Sequence, residues 1–383
     1  MTAKNSANEK ESPQCIFLLA GEASGDLYGG MLVKALLKEN PRLKIIAWGG
    51  EKMEQAGAQV LRHYKSMAFM GFLEVVKNLG TIRTLFHECE QLLGTYKPDV
   101  FVGIDYPGFN LKMASKAKAL GVTTHHYISP SLWAWNKRRV HTIRKHVDQM
   151  HVILPFEKKW FAQHDVDVNW VGHPLLELQK DEKRSDWIGE TNGAILALIP
   201  GSRKQEIECM LPLFVEVARQ LPHFTAIVAG AQGMDRSAYE VATNQGIEVQ
   251  FGATRNLMRS ADVGLITSGT ATLEAALLDL PHIICYRTSK ITYLIAKQLA
   301  QTSWIGLPNI LTQQSVIPER IQKECTVHVL VQDVTEIHDG EKLLPAGHNQ
   351  LKNLEQLKRK LETTGAASQK VAASILSYNP SRA

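Results

Sequence analysis

The stretch Val263-Gly264-Leu265-Ile266-Thr267-Ser268-Gly269-Thr270-Ala271-Thr272-Leu273-Glu274-Ala275-Ala276-Leu277-Leu278 decides the fold. It opens as a short apolar run, breaks at a small polar turn around Gly269, and resumes with Ala, Leu and Glu at helical spacing. That order predicts strand, tight turn, helix. Such a turn aims backbone N–H groups and the positive end of the helix dipole over the strand's carboxyl end, where a phosphate or pyrophosphate fits. Glu274 falls about one turn into the helix, from where a carboxylate accepts hydrogen bonds from both hydroxyls of a ribose. Ser268, Gly269, Thr270 and Glu274 thus describe a nucleotide-diphosphate seat, although the same residues also suit a plain helix cap.

Outward from this stretch the same rhythm recurs. In the amino-terminal half, strands are expected at Cys15–Ala20, Lys44–Trp48, Val100–Ile104, Thr123–Ile128 and Gln149–Leu154, alternating with helices, one of them long, from Phe72 to Leu93. Pro174 and the charged run Lys180-Asp181-Glu182-Lys183-Arg184 interrupt the series. A second series starts at Ala194–Ile199 and leads to the opening stretch. Strands alternating with helices imply parallel sheets covered on both faces, with ligand sites at the carboxyl ends of the strands. The expected organisation is a flexible tail at 1–12, a Rossmann-like domain at 13–182, a second at 183–345 and carboxyl-terminal helices at 346–383, with the two domains facing a cleft. The stripe Leu351, Leu354, Leu357 and Leu361 supports the last helices; it is too short for a coiled coil.

Composition narrows the classes. At 383 residues the chain exceeds the usual size of one core, so two domains are expected. A formal charge of +5 is too weak to argue for nucleic acid, yet it suits anionic substrates or an anionic membrane surface. Cys15, Cys89, Cys209, Cys285 and Cys325 are scattered without Cys-x-x-Cys, which predicts reduced packing thiols in a cytoplasm-like compartment. The apolar start Cys15–Ala20 is too short for a signal-peptide core, and no apolar run is long enough to span a membrane.

Four further stretches carry chemistry. Gly21-Glu22-Ala23-Ser24-Gly25-Asp26 follows the first strand but lacks strict G-x-G-x-x-G spacing, and its acidic pair Glu22 and Asp26 would repel a pyrophosphate. This turn therefore suits a sugar or acceptor, with Ser24 and Gly25 as contacts, or a simple helix cap. Gly103-Ile104-Asp105-Tyr106-Pro107-Gly108-Phe109-Asn110 puts Asp105 at a strand's carboxyl end. There it fits a general base raised by partial burial beside Tyr106 and Phe109, or a group bonding its own turn. Pro200-Gly201-Ser202-Arg203 repeats the strand-turn-helix geometry and sets Arg203 to clamp a leaving pyrophosphate. His125 to Trp135 ends a strand in an aromatic loop suited to a sugar or acyl chain, followed by Lys137-Arg138-Arg139, a solvated helix start or a phosphate contact. The neighbours His125 and His126 point to opposite faces and cannot share one site.

Tyr64 to Leu93 is apolar over more of its surface than one buried stripe requires. Phe69, Met70, Phe72, Leu73 and Val76 then form either core or an acyl-chain and membrane surface, flanked by Lys65, Lys77 and Arg83. Asp165-Val166-Asp167 offers two carboxylates and little else for a cation, so no metal is assigned.

Taken in order, these stretches together with Met70-Gly71-Phe72-Leu73-Glu74-Val75, Gly172-His173-Pro174-Leu175 and Leu307-Pro308-Asn309-Ile310-Leu311 resemble the lipid-A-disaccharide synthases of Gram-negative bacteria. The resemblance implies a GT-B fold without metal or other cofactor. It implies transfer of a diacylglucosamine from UDP-2,3-diacylglucosamine to the 6-hydroxyl of 2,3-diacylglucosamine 1-phosphate, giving a β-1,6 disaccharide and UDP. By motif match Asp105 is the base, Arg203 and Ser202 belong to the diphosphate site, Ser268, Gly269 and Thr270 cradle phosphate, Glu274 holds ribose and Asn309 lines the donor site. It further implies a cytoplasmic enzyme held peripherally at the inner membrane. A homodimer is compatible, since the carboxyl-terminal helices suit either their own first domain or a partner chain. Gly108 departs from the family's D-x-P-D-F-N pattern, and Arg320 stands where an apolar residue is usual. An epimerase of the same fold and a non-catalytic membrane scaffold are the competing readings.

Overall fold

The computed structural model describes residues 13–67, 79–134, 136–178, 193–289, 293 and 302–378. The chain divides into two compact units, Met1–Pro174 with Thr363–Ala383, and Leu175–Glu362.

The first unit is built on strands β1 (Cys15–Ala20), β2 (Lys44–Gly49), β3 (Gln59–His63), β4 (Val100–Ile104), β5 (Thr123–Tyr127), β6 (Gln149–Val152) and β7 (Asn169–Trp170). They form one sheet in the order β3-β2-β1-β4-β5-β6-β7, with every pairing parallel. β1 and β4 are apolar along their length because helices cover both faces, and all five residues of β4 are buried. One core cluster joins Phe17, Trp48, Phe101 and Phe109. A second joins Leu111, Leu132, Val140 and Phe161.

The second unit repeats the plan with β8 (Ala194–Ile199), β9 (Phe224–Gly230), β10 (Glu248–Phe251), β11 (Val263–Thr267), β12 (His282–Tyr286) and β13 (Glu319–Ile321). The order is β10-β9-β8-β11-β12-β13, again all parallel. In each sheet the strand order reverses direction at one place, between β1 and β4 and between β8 and β11. Those are the switch points at which doubly wound sheets bind ligands.

The helix Pro345–Leu361 buries Leu354, Leu357 and Leu361 in the second unit, as its leucine stripe requires. The chain then returns to the first unit, where Thr363 passes Gly172 so closely that a Cβ there would lie 2.6 Å from the Thr363 hydroxyl. Gly172 also has φ +92°, so glycine is required twice over. The last helix, Ala367–Ser377, packs on Ala23–Glu39 of the same chain. Among the described residues no helix is long and apolar enough to cross a membrane.

Candidate active site

The motifs fall on the switch points. In the first unit the turn after β1 and the turn after β4 are interlocked. A Cβ on Gly21 would sit 2.3 Å from the Tyr106 ring, so this glycine is needed for close approach. The Tyr106 hydroxyl donates to the Met67 carbonyl at 2.8 Å. Asp105 and Tyr106 both take left-handed backbone conformations, with φ 46° each, a strained state for non-glycine residues that surrounding structure must hold. Asp105 N–H donates to the Tyr127 carbonyl at 2.8 Å. Asn110, fully buried, donates through Nδ2 to the carbonyls of Leu19, Ile104 and Asp105 at 3.2, 3.2 and 2.7 Å. Asn110 thus ties the ends of β1 and β4 to the turn that presents Asp105, whose side chain is half-buried. The motif contained Asn110, but nothing in its spacing announced that role.

Two residues of the first turn are buried and hold the fold together. Asp26 is buried, and its carboxylate accepts the N–H groups of Gly50, Lys52 and Met53 at 2.7, 3.0 and 3.2 Å. It anchors the loop after β2 instead of repelling a ligand, and Glu22 remains the acid of this turn. Gly25 is buried, with its would-be Cβ 3.0 Å from the Ala20 Cβ, so it is a packing position. Ser24 beside it is half-buried.

The aromatic loop after β5 is pinned by a residue outside its motif. Glu157 is buried and accepts from the Ser129 hydroxyl at 2.5 Å, from Leu154 N–H at 2.9 Å, and more distantly from Ile153 N–H and the Trp133 indole. Burial pushes its carboxyl up to about 7 against the pull of those donors. His125 and His126 are both buried, on a sheet covered on both faces. Burial holds them down at about 3 and about 4, which makes them neutral core groups.

The expected acyl surface is divided. Phe69, Met70, Phe72, Leu73 and Val76 lie outside the described residues. At the ends of that stretch, Met67 and Leu85 are buried in the core beside Phe109. Asp165 pairs with Arg144 at 3.5 Å.

In the second unit the turn after β8 supplies its own anion. Glu206 accepts the N–H groups of Ser202 and Arg203 at 3.1 and 3.3 Å through Oε2, and its Oε1 takes Arg203 Nη1 at 2.8 Å. Gly201, at φ +110°, lies against that carboxylate, which a Cβ would approach to 2.5 Å. The Ser202 N–H is therefore committed to Glu206, and the group offered outward here is the Arg203 side chain, 44 % exposed. The spacing Ser202-x-x-x-Glu206, with the glutamate in the helix's first turn, was the available signal.

The turn after β11 is more open. Ser268 N–H donates to the Cys285 carbonyl at 3.0 Å and its hydroxyl to the Ile305 carbonyl at 3.2 Å. Thr272 closes the turn on the Gly269 carbonyl through N–H and hydroxyl, at 3.1 and 2.8 Å. Gly269 is extended, with φ 160°, and a Cβ there would meet nothing within 4 Å. Neither conformation nor crowding demands glycine, and the space it leaves lies over the start of the Thr270–Leu277 helix. There the first N–H groups have no intrahelical acceptor. Glu274 is paired with Arg255 at 2.8 Å, the two side chains 20 % and 16 % exposed. Arg255 comes from the helix after β10 and was not legible as a site residue.

Asn309 is bonded on every side within the second unit. It is fully buried, and its amide is spent within the protein: Oδ1 accepts Val316 and Ile317 N–H, while Nδ2 donates to the Ile317 carbonyl and to Glu319. Glu319 in turn accepts Ile305 and Gly306 N–H at 2.9 and 3.0 Å. Asn309 therefore braces the segment that holds Ser268.

Two doubly wound units with glycine-bearing turns at both switch points, a carboxylate at one and an arginine with an open helix start at the other, make a fold of GT-B type. Comparison with known proteins carries this to the family. Residues 16–375 match the Lipid-A-disaccharide synthetase family, and the chain belongs to it. It is 35% identical to the lipid-A-disaccharide synthase of Alcanivorax borkumensis, covering 96% of this chain and 97% of that one. With the Colwellia psychrerythraea enzyme of the same name it shares 37% identity over 90% and 93% of the two chains. Among solved structures, the UDP-GlcNAc 2-epimerase of Neisseria meningitidis superposes with a TM-score of 0.63 at 13% identity, covering 95% of this chain and 100% of that chain, a likeness of fold alone. The chain is thus a glycosyltransferase of lipid A disaccharide synthesis.

Proposed function

We propose that this chain moves 2,3-diacylglucosamine from its UDP-linked donor to the 6-hydroxyl of 2,3-diacylglucosamine 1-phosphate, with inversion at the anomeric carbon. The observation that carries this reading is Asp105, a half-buried carboxylate at the switch point of the first unit on a turn locked by Tyr127, Tyr106 and Asn110. As the acceptor oxygen attacks C1 of the donor, Asp105 takes its proton while the bond from C1 to the diphosphate oxygen breaks. UDP then leaves from the face opposite the attack.

On the second unit, the Arg203 guanidinium meets the charge growing on the diphosphate. The open helix start at Gly269 and Thr270 adds N–H donors. Glu274, steadied by Arg255, takes the ribose hydroxyls. In this reading Arg203 and the helix start suffice without a divalent cation. The apolar stretch holding Phe69, Met70, Phe72, Leu73 and Val76 receives acyl chains at the cytoplasmic face of the inner membrane, a placement supported by its excess of apolar surface and by the amphiphilic nature of both substrates.

The test is UDP release from purified protein given both substrates in the presence of EDTA. Acceptor-dependent release is expected, falling by about 10²–10⁴-fold in Asp105→Ala. No release from the unaltered protein would sink the substrate assignment, and a fully active Asp105→Ala would move the base elsewhere.

A further inference from the structure

From Tyr106 to Val147 the chain carries eight Lys and Arg residues and no Asp or Glu. Four are engaged: Lys116 with Glu90 at 3.0 Å, Lys118 with Asp148 at 2.5 Å, Arg144 with Asp165 at 3.5 Å, and Lys112 over the Phe86 ring. Lys137, Arg138 and Arg139 are consecutive, the first two exposed and the third half-buried. Among the described residues Lys137 and Arg138 form no ion pair.

The fold fixes where this triad lies. The chain leaves β5 at Tyr127, whose carbonyl is bonded to Asp105 N–H. The loop is pinned by Ser129 and Trp133 on Glu157 and by Leu132, buried in one cluster with Val140 and Ile143. The helix Arg139–His146 then runs back to start β6, so it begins at the sheet's carboxyl edge. It packs beside Pro107–Ala119, the helix that starts two residues after Asp105 at the same edge. Neighbouring helix axes lie about 8–10 Å apart. Triad and base therefore share one edge of the sheet on two neighbouring helices, and a sugar with its phosphate on C1 and its reacting hydroxyl on C6, borne by the two carbons that flank the ring oxygen, presents both groups to that edge.

We propose that Lys137, Arg138 and Arg139 form a phosphomonoester subsite that grips the acceptor's anomeric phosphate and so sets its 6-hydroxyl against Asp105. The inference rests on the transferase reading above. Gripping the phosphate also makes the site selective, because an acceptor with a free anomeric hydroxyl loses these charge-assisted bonds.

The experiment uses the full chain in detergent micelles and measures equilibrium binding of 2,3-diacylglucosamine 1-phosphate and of its dephosphorylated form, with transfer followed in the same preparations. The unaltered protein should bind the phosphorylated acceptor about tenfold or more tightly. Lys137→Ala with Arg138→Ala should erase that preference and raise the acceptor KM while leaving the donor KM in place, and Lys137→Arg with Arg138→Lys should restore it. Equal binding of both acceptors, or a preference surviving in the alanine variant, overturns the subsite whether or not transfer occurs. Absence of transfer with a phosphate preference intact would instead count against the transferase reading. A phosphate source in lipid headgroups is separated by co-sedimentation with phosphatidylglycerol vesicles. Loss of vesicle binding in the alanine variant with unchanged acceptor preference would assign the triad to the membrane and overturn the proposal.

Discussion

Asp26, Glu206 and Glu319 each settle a loop by accepting N–H groups that the backbone leaves unpaired, and Glu206 adds an ion pair with Arg203. A carboxylate with two or three such donors forms strong, charge-assisted bonds. Arg320 belongs to the same economy. In sequence it stands where the family usually has an apolar residue; in the fold its Nε and Nη2 each reach one oxygen of Asp333 at 2.6 Å, joining β13 to the helix Val327–Ile337. Asp333 is only 5 % exposed and Arg320 32 %. The hydrogen bonds that the arginine donates to Asp333 raise it above its ordinary value, as a tight fork should. Removing one partner from a buried pair leaves a charge without compensation. Arg320→Leu should therefore cost about 2–3 kcal/mol in urea unfolding, less than for a fully buried pair because Arg320 keeps some solvent. Arg320→Leu with Asp333→Leu should recover most of it. A single variant as stable as the unaltered protein would show that the pair contributes nothing.

At the scale of elements, the braces behind the site matter as much as its lining. Asn309 joins the start of the helix Leu307–Thr312 to Val316, Ile317 and Glu319, and Glu319 joins that segment to Ile305, against which Ser268 is set. Asn309→Ala strands several buried groups at once, each costing about 1–3 kcal/mol when unsatisfied. Relaxation shares some of that, so a loss of about 2–4 kcal/mol is expected, with faster hydrogen exchange concentrated at 302–321. Unchanged exchange there would refute the bracing role. The strand-turn-helix stretches at β1, β4, β8 and β11 were legible because they are buried on both faces and punctuated by glycine, a pattern one window of sequence can show. β3, β7, β12 and β13 were not, being short or partly polar, and their pairing depends on neighbours far along the chain. The site divided in the same way. Asp105, Arg203 and the Gly269 turn announced themselves by position after a strand, and Glu206 left a local signal in its spacing from Ser202, whereas Asn110, Glu157 and Arg255 act through contacts that no local spacing encodes. Asn309 was legible as a motif residue, but its bracing bonds were not, because a motif does not say which way a side chain faces. Gly108 is simpler: a Cβ there would meet open space, so the fold itself does not demand glycine at that position.

Across the whole molecule, buried titratable groups set a dependence on pH that the two units share unequally. Burial holds His125 and His173 at about 3 and His126 and His282 at about 4, and lowers His151 well below the ordinary imidazole value of 6.5. Between those values and 6.5 the unfolded chain binds protons that the folded chain refuses, so stability rises with pH across that window and is lost as pH falls through it. Glu157 has the opposite sign. Its carboxyl, raised from 4.5 to about 7, keeps a proton when folded that the unfolded chain releases, so its contribution declines as pH climbs through that interval. Several histidines outweigh one glutamate, and the melting temperature should increase from pH 4.5 to 6.5. Four of the five histidines lie in the first unit and only His282 in the second. At pH 5 the amides of β1, β4 and β5 should therefore lose protection before those of β8 and β11 in hydrogen exchange read by mass spectrometry. Glu157→Gln removes the opposing slope and should steepen the rise in melting temperature. A melting temperature that is flat or falls from pH 4.5 to 6.5, or a second unit that opens first, would mean that these imidazoles accept protons inside the fold and are not held neutral by burial.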